Sequence, residues 1–279
     1  MSWRMEIRHV SGYRYQGEVD SSYNEARMTP LTTEHQLVLD ASVAVSPPAR
    51  PFRYWDYWGT VVDAFDVQAP HRELVVTASS TVETSSAPEP PSASWDALSG
   101  KGTADRFAEL VAPTAYAPRI PEVEGAAASL AGRHNPLGAC LAAIEWVQER
   151  VRYEPGATDV TTSATDSLAK GAGVCQDYAH LTLCLLRAMG IPGRYVSGYL
   201  HPTKDPQVGV AGAGESHAWV EAWIGRWWAL DPTSGSPAGE RHVLVARGRD
   251  YGDVAPLKGV YSGPPAEALG VSVLVTRLA

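Results

Sequence analysis

Residues 170–200 read KGAGVCQDYAHLTLCLLRAMGIPGRYVSGYL. A glycine-bearing turn, Gly171-Ala172-Gly173, leads into Val174-Cys175. Gln176 to Met189 holds good helix formers and no breaker, Gly190 supplies a stop and Pro192 lies just beyond, which predicts a helix. Arg194–Leu200 then reads as a strand. Cys175 is thereby expected at or near a helix N-terminus. Unpaired N–H groups and the helix dipole favour the thiolate there, and the thiolate is the nucleophile. The same N–H groups can donate to an oxyanion. The glycines allow close chain approach and leave room for a substrate carbonyl. A cysteine at a helix start is also a common structural residue, so position alone does not assign chemistry.

A nucleophile needs a base, and the base needs an orienting group. Residues 215–232, ESHAWVEAWIGRWWALDP, offer both. Ala218, Val220, Ala222 and Ile224 alternate with His217, Trp219, Glu221 and Trp223, as in a strand with one aliphatic face. Gly225-Arg226 reads as a tight turn and Trp227–Leu230 as the return strand. A plain two-residue turn there sets Asp231 opposite Val220, on the wrong face for His217. A β-bulge or an odd-length turn is therefore required if Asp231 is to orient His217.

The remaining cysteines and histidines fit this site less well. Cys184 lies about half a turn off the Cys175 face of a regular helix and sits among leucines. His180 is also badly angled for Cys175 and is expected to pack or cap locally. Cys140 falls in the apolar stripe Leu137, Cys140, Leu141, Ile144, Val147, Val151 of a helix opened by Asn135-Pro136 and closed by Pro155-Gly156. His9, His35, His71, His134, His201 and His242 read as surface or locally bonded residues. With three cysteines, no Cys-x-x-Cys pair and no zinc spacing, neither a disulfide framework nor a structural metal is expected.

Outward from this segment, residues 1–85 read as a β-rich N-terminal domain, with strands in Met5–Tyr15, His35–Val45 and Leu74–Val82. Residues 86–102, rich in Pro and Ser, mark a linker, and 103–279 a second domain. Thr103–Val111 reads as a short helix. The alternating tail Val271–Leu278 reads as a closing strand returning to the first domain. A net charge of −8 argues against a general binder of nucleic acid or anionic membrane. No apolar run approaches the roughly 20 residues of a spanning helix, and no signal peptide is read, so the expected compartment is the cytoplasm.

Three blocks, GVCQDYAHL with RAMGIPGRYVSGYL, SHAWVEAW and WALDPT, resemble the bacterial transglutaminase-like family within the papain-like folds. YNEARMTP (23–30), DYWGTVVDAFDVQAPHREL (56–74) and VARGRDYGDVAPLKGVYSG near the end extend the resemblance over nearly the whole chain. It implies an α+β fold: a papain-like core with an antiparallel sheet and a Cys-bearing helix, behind a sandwich-like β domain. It also implies Cys175 as nucleophile, His217 as base and Asp231 as orienter, acting on peptide or amide bonds through a thioester, by hydrolysis or acyl transfer to amines. The N–H of Cys175, and after it that of Gln176, are the oxyanion donors so implied. Tyr178, one turn past Cys175, is a candidate cleft residue. Trp219, Trp223, Trp227 and Trp228 are candidates for an apolar wall, at least two of them being expected in the core. Asp177 is read as structural. No cofactor and no calcium requirement are expected. ATP-grasp-like and helical partner proteins are implied by the family's usual gene neighbours. The competing reading is a catalytically silent scaffold of the same fold.

Overall fold

The computed structural model describes residues 2–279. Its first strand, Ser2–Val19, buries Trp3, Met5, Ile7 and His9 on one face while the alternate residues point outward, the period of two that a half-covered sheet requires. It lies between His71–Ser85 and Ser272–Arg277, antiparallel to both. The sheet continues through Gln36–Ser46 on one side. On the other side Ser272–Arg277 pairs with the start of Ala211–Trp223, which carries His217, and Trp227–Asp231 follows. The closing strand read from the tail is therefore present and returns to the first strand.

A second sheet, Leu257–Ser262, Ser21–Ala26, Val61–Val67 and Phe52–Trp55, is wholly antiparallel. Tyr15, Leu74 and Val76 of the large sheet meet Ala26, Phe65 and Val67 of the small one in a shared core. The N-terminal region is thus β-rich and sandwich-like, and among the described residues no helix precedes Trp95.

Helices cover the other part of the large sheet. Pro121–Arg133 and Pro136–Arg150 pack around Cys175–Ala188, whose residues from Gln176 to Arg187 are all buried. Leu181, Leu183, Leu185 and Leu186 share one apolar cluster with Ile144, Val147, Trp3, Met5, Val273 and Val275. The helix opened by Asn135, whose side chain accepts from Gly138 N–H, ends at Arg150 rather than running on toward Pro155. Leu141 is exposed, so it does not belong to that helix's buried stripe. Within 86–102, Trp95–Ser99 is helical, capped by Ser94, and the Trp95 indole N–H donates to His134 O. No helix of the described residues is long and apolar enough to cross a membrane.

Candidate active site

Gly171, left-handed at φ 64°, closes the short helix Ala164–Lys170. The chain then runs through Ala172–Gly173, paired in parallel with Arg152–Tyr153, and turns at Val174 into Cys175–Ala188. Asp177, the third residue of that helix, accepts from Val174 N–H at 2.8 Å and from Thr158 Oγ1 at 2.6 Å. A Cβ on residue 173 would lie 2.6 Å from Asp177 Oδ2. The glycine therefore makes room for this carboxylate. Asp177 and Tyr178 both direct their N–H groups to Val174 O. Cys175 and Gln176 take the first two helical positions, where N–H groups have no partner inside the helix.

Ala211–Trp223 pairs with Gly193–Leu200, setting His217 opposite Gly198. In the following hairpin Trp223 faces Trp227 and Val220 faces Leu230. Three residues, Ile224, Gly225 and Arg226, therefore form the turn, with Gly225 at φ 98°. This odd length shifts Asp231 into register with Trp219 and onto the His217 face. His217 Nε2 lies 3.1 Å from Asp231 Oδ2, and both side chains are buried.

Asp231 is held on every side. Oδ1 accepts from the N–H groups of Thr233 (2.9 Å) and Ser234 (3.4 Å). Oδ2 accepts from Ser234 Oγ (2.9 Å) and His217, and stands 3.3 Å from His242 Nε2. Burial alone would raise its pKa, but these two histidines hold it well below the usual carboxylate range. For His217, burial works against the charged ring. The Asp231 hydrogen bond, then the hydrogen bond and charge of Cys175, overcome it and raise the imidazolium to about 10. With Nε2 given to Asp231, Nδ1 is the ring nitrogen left for the Cys175 sulfur.

Cys175 and His217 open on one cleft of about 400 Å³. Tyr153, Tyr195, Tyr251, Val160, Val174, Pro256, Val271 and Val273 supply most of its wall, with Ser197 and Ser216. Gln176 also lines it, and its side chain donates to Val160 O. Tyr178 does not: it is buried, and its hydroxyl donates to Val151 O. Trp219 is buried too, stacked at 6.2 Å beside His217 and edge-on at 5.3 Å to His242. None of the four tryptophans lines the cleft; Trp228 is core, while Trp223 and Trp227 pack on Phe107.

The other thiols are buried and do not line this cleft. Burial pushes Cys140 and Cys184 up to about 12. His180 is stacked on Tyr116, lies against a tilted Tyr195 ring and accepts from Tyr251 N–H; burial pushes it down to about 3. His242, read as a surface or locally bonded residue, does bond locally through Nδ1 to Gly239 N–H, but its side chain is buried and also reaches Asp231, eleven positions away. Its only local signal was its place at the head of the alternating run HVLVARG, which cannot say which strand it joins.

His217, Asp231 and His242 bring three possible metal-ligand atoms within 4.8 Å of one another. The tautomer of His242 argues against a metal there. Gly239 N–H donates to its Nδ1 at 3.2 Å, so the proton sits on Nε2, the atom a metal would need bare.

Comparison with known proteins gives one direction. The bacterial transglutaminase-like N-terminal region matches residues 5–83, and the transglutaminase-like superfamily core matches residues 124–232. An uncharacterized protein of Mycobacterium leprae is 50% identical over 278 residues, covering 99% of this chain and 100% of its own length. An uncharacterized protein of Mycobacterium tuberculosis is 32% identical over 290 residues, covering 97% of this chain and 91% of its own. A crystal structure of a candidate cysteine protease from Cytophaga hutchinsonii superposes with a TM-score of 0.81 at 25% identity, over 100% of this chain and 92% of that one.

Proposed function

Since the chain belongs to the bacterial transglutaminase-like family, we propose that it is a cysteine enzyme acting on amide bonds through a thioester on Cys175. The observation that carries this reading is the opening of Cys175 and His217 into one cleft, with Asp231 bonded behind the imidazole. The Cys175 thiolate attacks the carbonyl carbon of a carboxamide or peptide. The carbonyl oxygen becomes an oxyanion, met by the N–H groups at the first helical positions, Cys175 and Gln176. His217 passes its Nδ1 proton to the departing amine, and the thioester remains. A second nucleophile then gives its proton to His217 as it attacks the thioester, and the thiolate is restored. Asp231 keeps the imidazole in one tautomer and balances its charge. The wall of aliphatic and aromatic side chains favours an uncharged acyl group beside the scissile bond.

Incubating wild type and Cys175→Ala with a peptide and amine library, followed by mass spectrometry, tests this. The expected result is an adduct on wild type only, at the mass of the substrate less its amine. No adduct and no turnover across the library would leave the fold as a scaffold. Water is always present, so hydrolysis is expected as the default. Incorporation of a labelled amine would refute a strict hydrolase.

A further inference from the structure

We propose that His242 is a positioning residue for the Cys175–His217 pair, donating from Nε2 to the Asp231 oxygen that His217 also uses and so holding that carboxylate against the base. The proposal rests on the roles given above to Cys175, His217 and Asp231.

Asp231 ends a hairpin strand and begins the turn Pro232-Thr233-Ser234. Three of its five side-chain contacts are local. Thr233 N–H, Ser234 N–H and Ser234 Oγ all belong to that same turn, and Ser234 Oγ is shared with Ser236 Oγ at 2.8 Å. These local bonds would travel with the turn if it moved. Besides His217 itself, His242 is the donor that comes from outside the turn. It heads His242–Gly248, a strand joined to the His217 strand through Gly193–Leu200. It therefore ties the carboxylate to the body of the sheet.

Its own orientation is fixed. Gly239 N–H occupies Nδ1, which leaves the proton on Nε2, directed at Asp231. Trp219 and the ring pack edge to face. Trp219 has that place because Gly198 lacks a side chain: a Cβ there would lie 2.5 Å from the indole. The charged or titratable groups acting on His242 are Asp231, His217 and Arg241. Burial lowers its pKa, and the charges of His217 and Arg241 add to this against the pull of Asp231, so the ring is a neutral donor. It is not a second base for Cys175, because it lines a separate cavity with Trp219 and is absent from the Cys175 cleft.

The test is the pH profile of Cys175 alkylation by iodoacetamide in the full-length chain, which needs no substrate. His242→Asn keeps an acceptor for Gly239 N–H but ends short of Asp231. His242→Gln carries an amide N–H to about the reach of Nε2. In H242N the alkaline inflection set by His217 is expected to fall by roughly one pH unit, about a tenfold change in the proton equilibrium. H242Q is expected to stay close to wild type. A H242N profile that superimposes on wild type or moves upward overturns the proposal, as does a H242Q profile as low as that of H242N. Circular dichroism checks folding; should H242N not fold, His242→Met, apolar and of similar reach, replaces it. Asp231→Asn runs alongside. A wild-type profile with no alkaline inflection, unchanged in D231N, overturns the ion pair itself. An inflection that D231N moves and H242N does not overturns the role of His242 alone.

Discussion

The pKa values of Asp231 and His217 are shifted in opposite directions, and that gives the pair a pH signature. His217 is raised to about 10 in the fold, against ~6.5 in an unfolded chain. Its pairing therefore stabilises the fold fully below pH ~6.5 and is lost as pH rises through about 10. Asp231 is lowered, so its contribution is present above the unfolded carboxylate value, ~3.9, and is lost as pH falls through its folded value. Asp231→Asn should cost about 1–3 kcal/mol near neutrality, and the gap to wild type should close above pH 10 and in strong acid. Thermal melts across pH measure this; a gap that ignores pH would mean that the pair is not ionised. At the other end of the site, Gly173→Ala drives a methyl onto Asp177. It should cost about 1–3 kcal/mol in a urea melt, and an unchanged midpoint would show that Asp177 yields freely.

At the scale of the element, one turn decides whether Asp231 can serve. The faces of a strand alternate with period two, so one residue more or fewer in the turn reverses every later side chain. Ile224-Gly225-Arg226 supplies the needed odd number, and Gly225 takes the left-handed conformation inside it. The nearest atom to an added Cβ there is 3.5 Å away, an ordinary contact. Gly225→Ala should thus cost only the backbone strain, about 1–2 kcal/mol, read by chemical denaturation. A larger loss would mean that the turn reorganises and carries Asp231 with it. The Cys175 helix follows a different rule. It is buried on all sides, so the packing of its neighbours holds Cys175 in place, whereas the hairpin's own register sets Asp231.

Over the whole molecule, Ser272–Arg277 joins the first strand to the strand of His217. Val275 is fully buried in it, and Val273 reaches the cleft wall. Val275→Asp places a carboxylate in that seam and should cost about 3 kcal/mol or more. Because the apolar core is continuous from Trp3 to the Cys175 helix, far-UV and near-UV circular dichroism should lose signal together. Separate transitions would show that the β-rich region and the helical region unfold independently.

Much of this was legible in the chain. Gly190 and Pro192 end the Cys175 helix, alternation marks the His217 strand, and the tail alternates as a closing strand, because each is a local pattern written in neighbouring residues. The need for an irregular hairpin followed from counting alone. What the sequence could not contain was distance between strands. His242 came to Asp231 through pairing with Gly193–Leu200, and Tyr178 and Trp219 were turned away from the cleft by packing. Cleft residues such as Tyr195, Tyr251 and Val273 meet from distant segments. Local periodicity determines which face of an element a residue occupies. Only the tertiary fold decides what that face meets, because the contact depends on long-range register and on the shape of the partner.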